Sequence, residues 1–395
     1  MLREQGPHFV IQKIVVRLFP HVLTQPSPLH YEDALAVDWR TPHPSIANPV
    51  TASGGKLTIG WVMSPPGANS GGHQNIFRFI RFLEDAGHEV RIYLYSANVL
   101  LAPGEVSAMV ADSSSYTNIR ASVRYYPDDG LPDDVDALFA TSWETAYRSY
   151  RDPSRAHRFY FVQDFEPLFY TLGSEAVLAE NTYRFGFFGI TAGNWLAQKL
   201  HRDYGMETAA YQFGSDERNY SLTNRGDRSD VFFYARPETP RRGFELGVMA
   251  LDLFARERPD HTIVMAGQDV HHLKIPFPYQ NLGNVQVDQL NEVYNRCAAG
   301  LVMSFSNLSL LPLELLSAGV IPVVNDAENN RLVSDNPFIE YTPPLPRALA
   351  ERLMAIVDRG DLAEHAARAA ASVAPASWAH SGEQFMAAFE RGMRG

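Results

Sequence analysis

Twice along this chain, short apolar runs of strand length alternate with helix-spaced apolar stripes, and a polar stretch rich in turn formers separates the two series. No feature constrains the fold more. A strand that returns to its sheet through a helix lies parallel to its neighbour, and the sheet then needs helices on both faces. In the first series KLTIGWVM (56–63) reads as a strand, and SPPGANSGG as a loop. Ile76, Phe79, Ile80 and Leu83 share one helical stripe that Gly87 closes, and EVRIYLY (89–95) is the next strand. Apolar runs at 136–140, 158–163 and 187–191, a helix at 194–204 and a strand at 208–213 complete a doubly wound α/β domain.

The polar stretch 214–230 reads as a linker. Beyond it come strands at 231–235, 261–266, 300–304 and 320–324, and helices at 244–256, 289–297 and 310–318. An alanine-rich helix lies around 366–371, and the tail 378–393 carries Phe385, Ala388 and Phe389 on a stripe suited to crossing back to the first domain. At 395 residues the chain exceeds the roughly 250–300 that one core usually serves. The expected division is an irregular extension at 1–55, a first domain at 56–217 completed by a C-terminal helix at 377–395, and a second domain at 218–376.

Composition narrows the partners. A formal net charge of −11 argues against sequence-independent nucleic-acid binding, so any polyanion must meet a local basic pocket. The single cysteine, Cys297, sits in NEVYNRCAAG, which reads as helix; it can form neither an internal disulfide nor a cysteine-based zinc site, which fits a reducing cytoplasm. There is no apolar run of the roughly 18 residues that span a bilayer, and the N-terminus lacks a secretory layout, so a soluble or peripheral protein is expected. Residues 9–19, FVIQKIVVRLF, suit either an interfacial helix on the inner face of a membrane or, from Ile14, Val15 and Val16, a strand. The proline-rich span 20–55 reads as irregular lead-in.

Open α/β sheets bind ligands beyond the carboxyl ends of their strands, so chemistry is sought there. Arg236 follows the strand 231–235, and Arg242 with Gly243 opens the next helix; each guanidinium can give two parallel charge-assisted hydrogen bonds to a diphosphate, with Arg241 a substitute for Arg242. Beyond strand 300–304, the amides of Asn307, Leu308, Ser309 and Leu310 begin a helix and suit a phosphate or sugar hydroxyls. One turn on, Glu314 is an acceptor suited to paired ribose hydroxyls. In the first domain Gly71, Gly72 and His73 form a loop at which a ligand can approach the backbone. Asp164 and Glu166, after Gln163, are candidates to orient or deprotonate an acceptor hydroxyl. Turn packing accounts for the glycines, and turn chemistry before Pro167 for the carboxylates, almost as well. Asp128 and Asp133 read as solvated turn, and His271 and His272 as surface loop rather than metal ligands.

The ordered segments GGHQNIFRFIRFLEDAGHEV, TAGNWLAQKL, FGSD, ARPETPRRGF, IVMAGQD, LGNVQVDQLNEVYNRCAAGLVMS and LELLSAGVIPVV resemble the family-4 retaining glycosyltransferases. FVQDFEP and SFSNLSLLPLE look most like the WsaF-type bacterial rhamnosyltransferases. The resemblance implies a GT-B fold, two Rossmann-like domains facing across a cleft, and transfer with retention from a dTDP-, UDP- or GDP-linked hexose or deoxyhexose to a glycan or lipid-linked glycan. It also implies that the base lies against Gly283, Asn284 and Val285, and that neither a metal nor another cofactor is needed. Two positions depart from the family pattern: Ser306 stands where the first motif glutamate falls, and Arg242 where a lysine falls. A GT-B sugar-nucleotide epimerase and a non-catalytic nucleotide-sugar or glycan binder are the alternatives; a nicotinamide dehydrogenase is disfavoured because SPPGANSGGH lacks G-x-G-x-x-G spacing.

Overall fold

The structure, a computed structural model, describes residues 28–41, 55–67, 70–98 and 101–394. Its first sheet holds β1 (Thr58–Met63), β2 (Glu89–Leu94), β3 (Ser122–Tyr125), β4 (Ala137–Ala140), β5 (His157–Val162), β6 (Phe188–Ala192) and β7 (Thr208–Tyr211), in the order β3-β2-β1-β4-β5-β6-β7. The second holds β8 (Asp230–Tyr234), β9 (Ile263–Ala266), β10 (Gln280–Gly283), β11 (Cys297–Val302), β12 (Ile321–Asn325) and β13 (Glu340–Thr342), in the order β10-β9-β8-β11-β12-β13. All pairings are parallel. Central strands β4, β5 and β11 are buried along their whole length, as a parallel sheet covered on both faces requires.

Local chemistry explains the elements that carry the site. Helix Gly71–Asp85 buries Ile76, Phe79, Ile80 and Leu83, the stripe read from sequence. It ends at Ala86 with Gly87 at φ +94°, where His88 N donates to Leu83 O and Gly87 N to Glu84 O, both at 3.1 Å. This is the Schellman pattern, and it requires a residue that tolerates the left-handed region. Helix Trp378–Arg394 crosses back as expected: Phe385 packs 4.7 Å from Phe79, 6.0 Å from Phe139 and 6.3 Å from Trp61, all in the first sheet's core.

The chain passes between domains at paired crossings. Ser215 bridges Ser377, and Ser215 N donates to Ala376 O at 2.6 Å. A Cβ on Gly214 would lie 2.5 Å from Trp378 N, against backbone that cannot swing aside. Gly214→Ala should therefore destabilise the protein by about 1–3 kcal/mol, read as a lower denaturant midpoint at unchanged slope. A midpoint equal to that of the parent would show that the crossing is loosely packed.

Several readings need correction. Cys297 is not helical; helix Val287–Arg296 stops one residue earlier and Cys297 opens β11, because the small residues of CAAGLV fill a strand buried on both sides. Within the span read as irregular lead-in, Tyr31–Ala36 is a helix, fixed by buried Asp33, which pairs with Arg151 and accepts from Tyr95 OH. Residues 9–19, and most of the rest of that extension, lie outside the described residues. Periodicity does not reveal β3, β10 or β13, which are sheet-edge strands of three or four residues and never fully buried. Nor does it reveal helix Trp143–Arg151, whose buried face is largely aromatic and polar.

Candidate functional site

A cleft of about 680 Å³ opens between the two sheets. Its walls are made of residues just past the strand ends: Ser64 after β1, Thr141 and Ser142 after β4, Gln163 after β5, Arg236 after β8, Gly267 after β9 and Asn284 after β10. Both carboxyl edges thus face one space, the position at which doubly wound folds bind ligands.

On the second-domain wall three guanidiniums converge. Arg236 Nη1 reaches Gly267 O at 3.5 Å, and Arg242 Nη1 donates to Ser304 Oγ at 3.1 Å. Arg241 lies 3.9 Å over the Phe169 ring and pairs with Asp164 across the cleft, Nε to Oδ2 at 3.6 Å. The short turn Pro240–Arg242 carries Arg241 and Arg242, and Gly243 at φ +56° lets the chain enter helix Phe244–Glu257; a Cβ there would meet the Phe305 ring at 2.7 Å. Burial lowers the pKa of Arg241, Asp164 raises it, and the charges of Arg242 and Arg236 lower it further.

The loop after β11 departs from its expected role. Helix Leu311–Ser317 has only seven residues, and the Asn307 amide expected to face a phosphate is taken: Asn307 N donates to Asp164 Oδ1 at 2.8 Å. Asn307 Nδ2 binds Gln163 O at 3.1 Å and Ala192 O at 2.9 Å, and Ser306 Oγ donates to Asp164 Oδ2 at 3.0 Å. Ser306, Asn307 and Asp164 are all buried, so this loop clasps the first domain. Leu308, Ser309 and Leu310 line the cleft. At Ser306, where the resembled family carries a carboxylate, one arrives instead from the opposite domain.

Asp164 therefore spends its oxygens on Asn307 N, Ser306 Oγ and Phe165 N. Glu166 also lines the cleft but is buried: Oε2 accepts from Trp143 N at 2.8 Å and Oε1 from Tyr160 OH at 3.3 Å. Burial, then the nearby Glu144 carboxylate, pushes its pKa well above the usual carboxylate range, so the neutral acid is favoured. Gly71 and Gly72 line the cleft, and a Cβ on Gly71 would meet nothing within 4 Å. His73 turns away from it: Nε2 donates to Ser64 O at 2.9 Å, so Nδ1 accepts from Ser70 Oγ at 2.8 Å, and burial lowers its pKa. That histidine pins the loop rather than facing a ligand.

Glu314 lines the far end, where Tyr294 OH reaches Oε2 at 3.5 Å. Burial pushes its pKa up to about 7, against opposing hydrogen bonds from Tyr294 and Tyr220. Asn284 and Val285 line the cleft beside Val287 and Leu290; Gly283, at φ +57°, closes β10 without reaching it. Sequence reasoning missed Arg78, which binds Asp216 at 3.4 Å and lies 3.7 Å over Trp378, close enough to Glu314 to oppose its upward shift. It also missed Glu144, Tyr170 and Tyr220, single residues in helices and loops that only the fold brings to the cleft. Among the described residues no group of three or more His, Cys, Asp or Glu could hold a metal ion, and no helix is long and apolar enough to cross a membrane.

Solved structures share this fold at low sequence identity. Anabaena HepE, solved in complex with UDP-glucose, superposes with a TM-score of 0.62 at 14% identity, over 85% of this chain and 100% of that one. Sucrose-phosphate synthase from Thermosynechococcus elongatus gives 0.60 at 11%, over 85% and 99%. The fold is GT-B. Within this GT-B frame, residues 229–354 match the family model described as the WsaF C-terminal domain, which bears out the WsaF resemblance over the second lobe. The O-antigen biosynthesis protein RfbC of Myxococcus xanthus is 32% identical over 345 residues, covering 85% of this chain; the chain spans 27% of that relative's length.

Proposed function

We propose that this chain is a retaining glycosyltransferase that moves a hexosyl or deoxyhexosyl group, rhamnosyl in the reading that the resemblance of FVQDFEP and SFSNLSLLPLE implies, from a nucleoside-diphosphate sugar to a glycan or lipid-linked glycan. Its setting is the cytoplasmic assembly of cell-surface polysaccharide, consistent with the O-antigen role named for the Myxococcus relative. The observation that carries this reading is the convergence of Arg236, Arg241 and Arg242 on one wall of a GT-B cleft, with a carboxylate, Glu314, farther along the same wall. Guanidiniums held in place stabilise the charge that develops on a departing diphosphate, and they cost no reorganisation at the moment of bond breaking. That is the service other transferases obtain from a divalent ion, so no metal is required in this proposal.

The donor's ribose would lie against Glu314 and its base near Asn284 and Val285. The acceptor would enter from the first-domain wall, past Gly71 and Gly72 towards Glu166. The complex of HepE with UDP-glucose supports a nucleotide sugar as the ligand class. Calorimetric titration with UDP, dTDP, GDP and ADP should show one diphosphate bound at least about tenfold more tightly than the others, a difference of about 1.4 kcal/mol. Incubation with the matching sugar nucleotide and a glycan acceptor should then yield a glycoside of unchanged anomeric configuration. An isomerised donor would make the protein an epimerase, and binding without turnover a non-catalytic binder. No binding of any of the four diphosphates would end the reading.

A further inference from the structure

Of the three guanidiniums in the cleft, Arg241 is the one whose hydrogen bonds are unmade. Among the described residues its side chain makes no hydrogen bond, and its Nε is shielded from solvent with no hydrogen-bond partner. Arg236 and Arg242 each reach a neutral oxygen, whereas Arg241 has only the 3.6 Å ion pair with Asp164 and the face of Phe169 at 3.9 Å. Asp164 holds it only loosely, because its charge is shared with two backbone N–H groups and the Ser306 hydroxyl and the pair stands at 3.6 Å. A guanidinium carries five N–H donors, and leaving the shielded Nε–H unmade beside two like charges is costly. An anion with several oxygens, held between the arginines, removes that cost.

We propose that Arg241 is a third ligand of the donor diphosphate and that Asp164 is the counter-ion it leaves to bind it. The proposal rests on the reading of this cleft as a nucleotide-sugar site. Exchange is feasible because Asp164 gives up only a long ion pair and keeps its three hydrogen bonds, so the clasp to Ser306 and Asn307 survives. Phe169 supports the guanidinium from the first domain, and Arg241 O accepts from Phe305 N at 2.9 Å, which fixes the backbone about which the side chain turns. Asp164 is then a positioning residue that competes with the donor, and its effect on affinity is carried by Arg241.

This gives a sign that a purely structural role would not. Asp164→Asn keeps an oxygen for Asn307 N and removes the competing charge. It should tighten the best-bound diphosphate of the UDP, dTDP, GDP and ADP series by about threefold, the range of a partly exposed ion pair. In an Arg241→Ala background the same substitution should change nothing. Arg241→Ala alone should weaken diphosphate binding by about tenfold or more, with a smaller effect on the corresponding monophosphate, and Arg241→Lys should recover part of the loss. Wild-type affinity in both Arg241 variants, or an Asp164→Asn effect of equal size in the two backgrounds, overturns the proposal. Should Arg236→Ala and Arg242→Ala also bind the diphosphate normally, it is the nucleotide-site reading itself that has failed.

Discussion

Arg242→Ala is expected to weaken binding of the preferred nucleoside diphosphate by about 1.5–3 kcal/mol, roughly ten- to a hundredfold, and to leave the thermal midpoint near that of the parent. Its guanidinium stands at the mouth of helix Phe244–Glu257 on a turn ending in a left-handed glycine, and among the described residues its one hydrogen bond goes to the Ser304 hydroxyl. Little folding energy is therefore lost with the side chain. What is lost is a fixed positive charge opposite a doubly charged group, in a cleft where water screens poorly. Arg236→Ala should behave in the same way, since among the described residues its one side-chain hydrogen bond is the long one to Gly267 O. The two charges act on one anion, so the double variant should lose more than either single one without the losses summing. Titration calorimetry at fixed ionic strength decides the matter, and undiminished affinity in both single variants would remove the diphosphate from this wall.

Glu314→Gln should raise stability at pH 8 by about 2–3 kcal/mol while it weakens the nucleoside part of the ligand. Burial pushes the Glu314 carboxyl from its ordinary 4.5 up to about 7, so the folded protein holds a proton that the unfolded chain releases over this interval. The associated stability is fully present below pH 4.5 and is lost as pH rises through about 7. Glutamine stays neutral throughout and escapes that loss. Ribose hydroxyls, however, are better held by a carboxylate with two accepting oxygens than by an amide with one. Nucleotide binding to the parent should accordingly release a proton near neutral pH, visible as a dependence of the calorimetric heat on the buffer. A Glu314→Gln protein that melts below the parent at pH 8 would mean that the carboxylate is structural.

The fold was legible where burial is continuous. ALFA at β4 and FYFV within β5 stand out as short apolar runs of strand length, and Phe385 with Phe389 announced a helix with an apolar partner to find. The edge strands β3, β10 and β13 gave no such signal; β3, for one, alternates between exposed and half-buried positions over only four residues. At the site, the charge of Arg236 and Arg242 at strand end and helix start was visible because positive charge at a helix N-terminus is unfavourable unless an anion meets it. The destination of Asp164 was not: its partners Ser306 and Asn307 are 142 and 143 residues away, and nothing local distinguishes a carboxylate that clasps another domain from one that handles a proton. His73 was misjudged for the same reason, because Ser64 O, the acceptor that turns it inward, lies across the loop.

Because the second sheet is inserted between Ser215 and Ser377 while Phe385 fills the first, the two lobes are not completed in the order in which they begin. On the ribosome, β8 to β13 are all made before the helix that seals the face of Trp61, Phe79 and Phe139 has emerged. The nascent first lobe must therefore wait, with an uncovered aromatic surface, until helix Trp378–Arg394 has been synthesised.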